Sequence, residues 1–364
     1  MCHSRDFICT ILPPHILSKL AESDKHRARA LQNIALTERA RGRRAMMRGL
    51  MAIGVPAGEL RRTIFDERNG QNLPGQLVRG EGDNPTGDVA VNEAYDSAGK
   101  TYEFYQTVYS RNSVDDRGLR LDSSVHYGQQ YDNAFWDGQQ MIYGDGDGEL
   151  FNRFTISLDV IGHELTHGVT QYTAGLEYSG QSGALNESMS DVFGSMVKQW
   201  ALSQTVDQAD WLIGQGLLAP GVQGVALRSM KDPGSAYNDP QLGKDPQPKY
   251  LRDYLNTTED NGGVHINSGI PNYAFYLAAA AIGGNSWDKT GKIWYETLTK
   301  RLTPTSDFQA AADGTVSAAG DLYGASSPEQ TAVITAWTKV GIVPAQPAAA
   351  RAAVAATSPA RRQA

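Results

Sequence analysis

The chain has 364 residues, of which 40% are hydrophobic and 9% aromatic, as expected of a globular protein with room for two packed domains. No run approaches the ~18 apolar residues of a transmembrane helix, and MCHSRDFICTILPP (1–14) lacks the basic and apolar regions of an ordinary signal peptide. Residues 1–62 hold 12 Lys or Arg and 5 Asp or Glu, a net +7, which leaves −14 for the rest of a chain whose total is −7.

The basic segment at the amino terminus is predicted to be an appendage of the acidic body. Basic arms can bind nucleic acid, but here the charges alternate with apolar residues at helical spacing, which disfavours that interpretation. Cys2 and Cys9 are the only cysteines, so the body must fold without disulfides. We interpret Cys9 as a small buried side chain, with a zinc-blocking thiolate as the alternative.

The first half of the body is predicted to be β-rich. Apolar and aromatic residues recur every three or four positions over 88–110, which predicts an amphipathic helix. Residues 119–127 alternate apolar and polar, and Asp/Gly turns follow up to residue 150, as in short strands and hairpins.

The second half is predicted to be mainly helical. One helix is expected over 156–173, ended by Gly175, and another over 184–201. Further helices are predicted at 268–282, 288–301, 307–322 and 328–340. The predicted divisions are an appendage at 1–55, a β-rich lobe at 56–175, a mainly helical lobe at 176–343 and a disordered Ala/Pro/Arg tail at 344–364.

The segment DVIGHELTHGVT (159–170) places two histidines four residues apart in a predicted helix. His163 and His167 therefore lie on one helix face, a turn apart, as two ligands of one zinc ion would. Catalytic zinc needs a further protein ligand and an open position. Glu187 on the next predicted helix can be that ligand, and Asp191, one turn later, can orient an imidazole. A chance match on an amphipathic helix is the alternative for the His motif alone.

The chain then resembles the thermolysin-like metallopeptidases, within them the short-propeptide, protealysin-type members. The resemblance covers roughly residues 70–342 and rests on several motifs in order. They are DNAFWDG (132–138), MIYGDGDG (141–148), HELTHGVTQYTAGLEYSGQSGALNES (163–188), LRSMKDP (227–233), DNGGVHINSG (260–269) and LTPTSDF (302–308).

The resemblance implies a two-domain α+β zincin with zinc in the cleft between a β-rich and a helical lobe. It assigns one zinc ion to His163, His167 and Glu187, and the role of general base to Glu164. A carboxylate beside a zinc-polarised water can take its proton and pass it to the leaving amine. Tyr178 and His265 are expected to donate hydrogen bonds to the oxyanion, with Asp260 orienting His265. Asp191 and Asn186 are expected to orient the zinc ligands through contacts on the side away from the metal.

Substrate contacts follow from the same resemblance. Asn133 and Ala134 are expected to hold an extended peptide by strand addition, and Arg228 to bind a substrate carbonyl. Four apolar residues are expected to form the pocket for the residue after the cleaved bond, which predicts Leu or Phe there. They are Phe151, Phe154, Val160 and Leu227. His126 is interpreted as a strand residue packed or capped locally, without a direct role.

The family's double calcium site is expected to be lost. Lys198, Leu212 and Gln215 replace acidic residues there, while Asp159 and Asp210 remain. A lysine removes ligands and opposes the charge of the ion, and Lys198 is expected to meet Asp210 instead. The GDGDG turn (144–148) has a calcium-like composition but is predicted to be a hairpin loop.

Residues 1 to about 55 are predicted to be an inhibitory propeptide, because PPHIL (13–17) resembles the Pro-Pro motif of protealysin-type propeptides. Cleavage is expected near GLMAIGVPAGEL (49–60), and the basic charge favours docking on the acidic body. The predicted partners are peptide and protein substrates and this propeptide, with no nucleic acid, no membrane and a monomeric state. Secretion by a non-classical route is expected, with a cytoplasmic location as the alternative. The rival functions are a zinc aminopeptidase and a binding protein that kept the fold.

Overall fold

The computed structural model describes residues 9–46 and 59–345, with Cys9 and residues 41–46 described by their backbone alone. The helices are α1 (Pro14–Glu22), α2 (Arg27–Met46), α3 (Val89–Tyr109), α4 (Leu158–Gln171), α5 (Gly180–Ala201), α6 (Asp260–Asn267), α7 (Gly269–Ile282), α8 (Lys289–Lys300), α9 (Phe308–Tyr323) and α10 (Pro328–Lys339). The strands are β1 (Cys9–Thr10), β2 (Arg62–Asp66), β3 (Gln76–Arg79), β4 (Leu121–Val125), β5 (Ala134–Trp136), β6 (Gln140–Tyr143), β7 (Leu212–Ile213), β8 (Arg228–Ser229), β9 (Asn238–Asp239) and β10 (Gly243–Lys244).

A six-stranded sheet forms the amino-terminal lobe, with strand order β1-β5-β6-β4-β2-β3. Its central strands β2, β4 and β6 run parallel, whereas β5 pairs antiparallel with β6. Strand β1, from the amino-terminal segment, pairs antiparallel with β5 and covers that edge, with Thr10 opposite Phe135. The edge that would otherwise be open is therefore occupied by the chain's own first described residues.

Helix α3 forms where the 88–110 pattern predicts it. Asp88 is its N-cap, and the Asp88 carboxylate accepts hydrogen bonds from the backbone N–H groups of Ala90 and Val91. The helix ends at Ser110, which has the left-handed φ of 56°. Both ends therefore lie within a residue of the prediction.

The later predicted helices also match the sequence pattern, with differences at three ends. Helix α4 begins at Leu158 rather than at residue 156. Helix α4 ends at Gln171 rather than at residue 173, although Gly175 takes a left-handed φ of 61° as its stop role requires. Helix α5 begins at Gly180, four residues before the predicted start, because its first turn is Gly- and Ser-rich and carries little apolar signal. The predicted tail from residue 346 onward and residues 49–58 of the expected cleavage region (49–60) lie outside the described residues.

Helices α4 and α5 pack unusually closely, and glycine makes this approach feasible. A Cβ on Gly194 would lie 2.4 Å from the Asp159 carbonyl oxygen and 2.9 Å from the His163 nitrogen. Helix α4 is buried from Asp159 to Thr170. The close contact brings the histidines of α4 next to the acidic residues of α5.

Candidate metal centre and active site

Three side chains from α4 and α5 form a group that could hold a metal ion. The Nε2 atoms of His163 and His167 lie 3.0 Å apart. Glu187 Oε2 lies 3.6 Å from His163 Nε2, and Glu187 Oε1 lies 3.4 Å from His167 Nε2. All three residues are buried, and among the described residues this is the single group of three or more such ligands.

The donor set fits zinc. Two imidazole nitrogens and a carboxylate are the ligands of a catalytic zinc site, which leaves a position open for water or substrate. Glu187 Oε2 is buried without a hydrogen-bond partner, as expected of an oxygen whose partner is a cation. The predicted ligands His163, His167 and Glu187 therefore lie together.

The outer nitrogens of both histidines are held by α5. His163 Nδ1 lies 2.8 Å from Asp191 Oδ1, and His167 Nδ1 lies 2.8 Å from Asn186 Oδ1. Donation from each Nδ1–H leaves the Nε2 lone pairs facing the centre. Burial opposes ionisation of Asp191, but the charges and hydrogen bonds of Arg228 and His163 together outweigh it, and the pKa of Asp191 falls below its usual value. Asp191 and Asn186, the two residues predicted to support the ligands, thus each contact one of the histidines.

Glu164 lies beside the ligands and is fully buried. Its Oε2 accepts a hydrogen bond of 3.1 Å from the backbone N–H of Trp136 on β5. Burial, followed by the negative charge of Glu187, raises the pKa of Glu164 well above its usual value. The backbone N–H groups of Trp136 and Ile11 oppose this rise.

Tyr178 and His265 face the same centre from the other side. The Tyr178 hydroxyl donates to Glu187 Oε1 and lies 3.1 Å from His265 Nε2. His265 Nδ1 lies 2.7 Å from Asp260 Oδ1, and the His265 backbone N–H donates to Asp260 Oδ2. Burial disfavours the imidazolium, but Asp260, followed by Glu187, raises the pKa of His265 to about 9.

A run of left-handed residues places Asp260 under His265. Asp260, Asn261, Gly262 and Gly263 have φ values of 51°, 52°, 91° and 74°. Asn and Gly tolerate this region best, so the sequence DNGG suits such a turn. The turn lets one carboxylate contact both the backbone and the ring of His265.

The chain's own residues 10–12 cross this site. His265 Nε2 lies 2.9 Å from the Thr10 carbonyl oxygen, and the Ile11 N–H donates to the Ala134 carbonyl at 3.2 Å. Arg228 Nη1 donates to the Ile11 carbonyl at 3.0 Å. The Leu12 N–H donates to Asn133 Oδ1 at 3.0 Å.

These contacts bring together Asn133, Ala134 and Arg228, the three predicted peptide-binding residues. The predicted pocket residues Phe151, Phe154, Val160 and Leu227 are all buried and belong to the same apolar core as Ile11. The sequence predicted a propeptide, but it did not predict that residues 10–12 would lie across this site. The sequence feature that could have indicated this is the apolar stretch ICTIL (8–12), directly before the two prolines.

Lys198 lies where the family's double calcium site is expected to be lost. Its Nζ lies 2.8 Å from Asp210 Oδ2, as predicted, and 3.1 Å from Asp159 Oδ2. The Gln215 side-chain oxygen is 3.5 Å from the same nitrogen. One ammonium group thus pairs with both of the remaining carboxylates.

His126 lies directly after β4 with a left-handed φ of 56°, not in a strand as expected, and it pairs with carboxylates of two other segments. Its Nδ1 lies 2.8 Å from Asp145 Oδ1 and its Nε2 lies 2.9 Å from Asp88 Oδ2. The GDGDG segment is a loop in which Asp147 Oδ1 accepts backbone hydrogen bonds from Glu149, Leu150 and Phe151. His126 therefore ties this loop to the start of α3.

The family follows from comparison with known proteins. A family model described as "Thermolysin metallopeptidase, catalytic domain" matches residues 57–171, and one described as "Thermolysin metallopeptidase, alpha-helical domain" matches residues 174–342. The chain belongs to the thermolysin metallopeptidase family and is a zinc metalloendopeptidase. The predicted fold class is confirmed, and the aminopeptidase and binding-protein alternatives are set aside.

Individual relatives match most of the chain. It is 51% identical over 344 residues to "Extracellular metalloprotease" of Pectobacterium carotovorum subsp. carotovorum, covering 92% of this chain and 96% of that one. It is 53% identical over 291 residues to "Protease PrtS" of Photorhabdus sp. (strain Az29), covering 79% and 78%. The solved structure "Precursor of Protealysin, Metalloproteinase from Serratia proteamaculans" is 52% identical with a TM-score of 0.85, covering 92% of this chain and all of that one. The protealysin-type resemblance is confirmed.

The prediction on location is wrong as stated. It paired non-classical secretion with a cytoplasmic alternative, but the Pectobacterium relative bears the name extracellular metalloprotease, which points away from the cytoplasm. Within the described residues no helix is long and apolar enough to cross a membrane. The predicted domain limits and monomeric state stay predictions, as does any role for Cys2 and Cys9, whose side chains lie outside the described part.

Proposed function

We propose that this chain is the precursor of a neutral zinc endopeptidase that cleaves before hydrophobic residues, with residues 1–55 as its inhibitory propeptide. The observation that carries the proposal is the placement of residues 10–12. They lie across the side chains predicted to bind and cleave a peptide, so a substrate and this segment compete for one place.

Each side chain has a role that its position supports. A zinc ion held by His163, His167 and Glu187 supplies Lewis-acid polarisation at the reacting carbonyl and water. Glu164 takes the proton of the attacking water and delivers it to the leaving nitrogen. Tyr178 and His265 donate hydrogen bonds to the oxygen on which negative charge develops. A raised pKa keeps His265 charged at neutral pH, because Asp260 pairs with it.

Substrate is held in an extended conformation on the edge of β5. Ala134 and Asn133 supply acceptors for its backbone N–H groups, and Arg228 donates to the carbonyl after the cleaved bond. Main-chain contacts of this kind give affinity without demanding a particular sequence. Selectivity then comes from the apolar pocket residues Phe151, Phe154, Val160 and Leu227, which favour Leu or Phe after the cleaved bond.

The propeptide is held by packing and charge as well as by the cleft. Leu36 and Ala40 of α2 join an apolar cluster with Tyr127, Tyr131 and Phe135 of the body. Arg29 pairs with Asp132 and Asp147. The basic helices of this segment lie against acidic loops of the body, in agreement with the opposite net charges of the two parts of the sequence.

The decisive test is cleavage of an end-blocked peptide with an internal Gly-Leu bond by processed protein. Cleavage by the native form, lost in zinc-loaded Glu164→Ala, supports the endopeptidase with Glu164 as base. A peptide series with Leu, Phe, Asp or Lys after the bond measures selectivity. Efficient cleavage only before the charged residues would contradict the apolar pocket.

We also propose that no calcium binds at the Lys198 locus, because Lys198 already neutralises Asp159 and Asp210. Calcium prefers six to eight oxygen ligands, and an ammonium repels it. Thermal unfolding of the zinc-loaded protein is therefore expected to be unchanged by added calcium. Protection by calcium that disappears on substitution of Asp159 or Asp210 would overturn this.

A further inference from the structure

The peptide group between Thr10 and Ile11 lies in the register of a substrate bond. Its carbonyl oxygen is 2.9 Å from His265 Nε2, the predicted oxyanion donor. Its N–H donates to Ala134 at 3.2 Å and also faces the carboxylate of Glu164. The carbonyl and the nitrogen thus lie beside the groups that would act on each of them.

The residues after this bond continue the same register. The Ile11 carbonyl accepts from Arg228, and the Leu12 N–H donates to Asn133. Ile11 is fully buried, as an apolar residue after the cleaved bond should be. The strand β1 runs antiparallel to β5, so one direction of the peptide satisfies every contact.

Two prolines end the extended segment immediately afterwards. Pro13 has no N–H to give to β5, and Pro14 begins α1. Ile16, Leu17 and Leu20 of α1 are buried. The segment that follows the bond is therefore anchored independently of residues 1–10.

We propose that the bond between Thr10 and Ile11 is a cleavage site of the chain's own active centre, cut within the same molecule. This inference rests on the proposed function. One water molecule adds to the Thr10 carbonyl carbon, and the bond to the Ile11 nitrogen breaks. The proton taken by Glu164 passes to that nitrogen, which leaves a carboxylate on Thr10 and an amine on Ile11.

The cut does not by itself open the cleft. Residues 11–46 remain attached through α1 and α2, since Ile16, Leu17 and Arg29 keep their contacts with the body. The trimmed precursor, which begins at Ile11, is thus still inhibited. Activity towards other substrates requires the later cleavage in the region of residues 49–60.

The test is a time course of intact mass and amino-terminal sequence on the zinc-loaded full-length precursor. The expected result is loss of the first ten residues and a new amino terminus at Ile11, at a rate independent of protein concentration. Glu164→Ala at equal zinc content should keep residues 1–10. A matched pair, Ile11→Asp and Ile11→Leu, should respectively abolish and retain the cut.

A second readout does not depend on activity. In zinc-loaded Glu164→Ala, the amide hydrogens of Ile11 and Leu12 should exchange slowly with solvent. The Ile11 N–H donates to the carbonyl of Ala134 on β5, and the Leu12 N–H donates to the side chain of Asn133, directly before β5. Exchange as fast as in a free peptide would show that the register is wrong.

The outcomes separate the two proposals. A precursor that retains residues 1–10 while the processed enzyme cuts the blocked peptide overturns the self-cleavage and leaves the endopeptidase intact. A cut whose rate rises with protein concentration overturns the intramolecular step. Failure to cleave the blocked peptide as well removes the proposed function and this inference with it.

Discussion

Arg228 and Asp191 connect the candidate metal centre to Ile11, in the chain's own amino-terminal segment that lies in the cleft. Arg228 donates to both carboxylate oxygens of Asp191, with each distance 2.9 Å, while its third nitrogen donates to the Ile11 carbonyl. Asp191 in turn holds His163. One buried guanidinium therefore couples binding of the peptide to the orientation of a zinc ligand.

Asp191→Asn is expected to lower zinc affinity about 10- to 100-fold, because the amide cannot accept as strongly from His163 or balance the charge of Arg228. Competition with a chelator measures this affinity. Asp207→Asn, an exposed change, is the control and should leave it unaltered. Equal zinc affinity in both variants would remove Asp191 from its supporting role.

Arg29→Ala should weaken the docking of the proposed propeptide, residues 1–55, on the body. Arg29 pairs with the buried carboxyl of Asp132 and with Asp147. Burial, followed by the charge of Asp147, raises the pKa of Asp132 to about 8, and the charge of Arg29 opposes this rise. Its loss is expected to cost about 2 kcal/mol of docking free energy. The readout is cleavage of the blocked peptide by precursor that mass spectrometry shows to be uncut in the region 49–60.

Arg27→Ala is the matched control for Arg29, since Arg27 pairs with the exposed Asp24 on the propeptide itself. It should leave the precursor as inactive as the native form. An equally inactive Arg29→Ala precursor would show that packing alone holds the propeptide.

His126 should make stability depend on pH. Hydrogen bonds with Asp145, opposed by partial burial, raise the pKa of His126 to about 9 from the ordinary 6.5. A raised folded-state pKa stabilises the fold fully below about 6.5 and ceases to do so as pH rises through about 9. His126→Gln should therefore lower the unfolding temperature in mildly acidic buffer but much less above the folded pKa. A difference between native and variant that is constant with pH would refute the assignment.

Lys198→Met should destabilise the fold by about 3 kcal/mol, because it leaves the buried Asp159 without its cation. Denaturant unfolding of the zinc-loaded protein measures the change. Lys100→Met, which removes an exposed pair with Glu103, should change stability by less than about 0.5 kcal/mol. Equal effects of the two variants would show that the Lys198 pairs contribute little.

The sequence by itself determined the ligands of the metal centre. His163 and His167 share a face because they are four apart on one helix, and Asn186, Glu187 and Asp191 lie close together on another. Such relations follow from helix geometry alone. The helices of the second lobe were likewise predictable, since their apolar spacing and their Gly and Pro boundaries are local.

Only the tertiary structure decided what those residues contact. Arg228 meets Asp191 across 37 positions, and Thr10 meets His265 across 255. No local periodicity encodes such pairs, because they depend on the path by which the whole chain folds back. The resemblance predicted that an amino-terminal propeptide would inhibit the peptidase. The sequence did not predict that the peptide group between Thr10 and Ile11 would lie beside His265 and Ala134. This position depends on the tertiary structure, which places the edge of β5, the cleft and the amino-terminal segment next to one another.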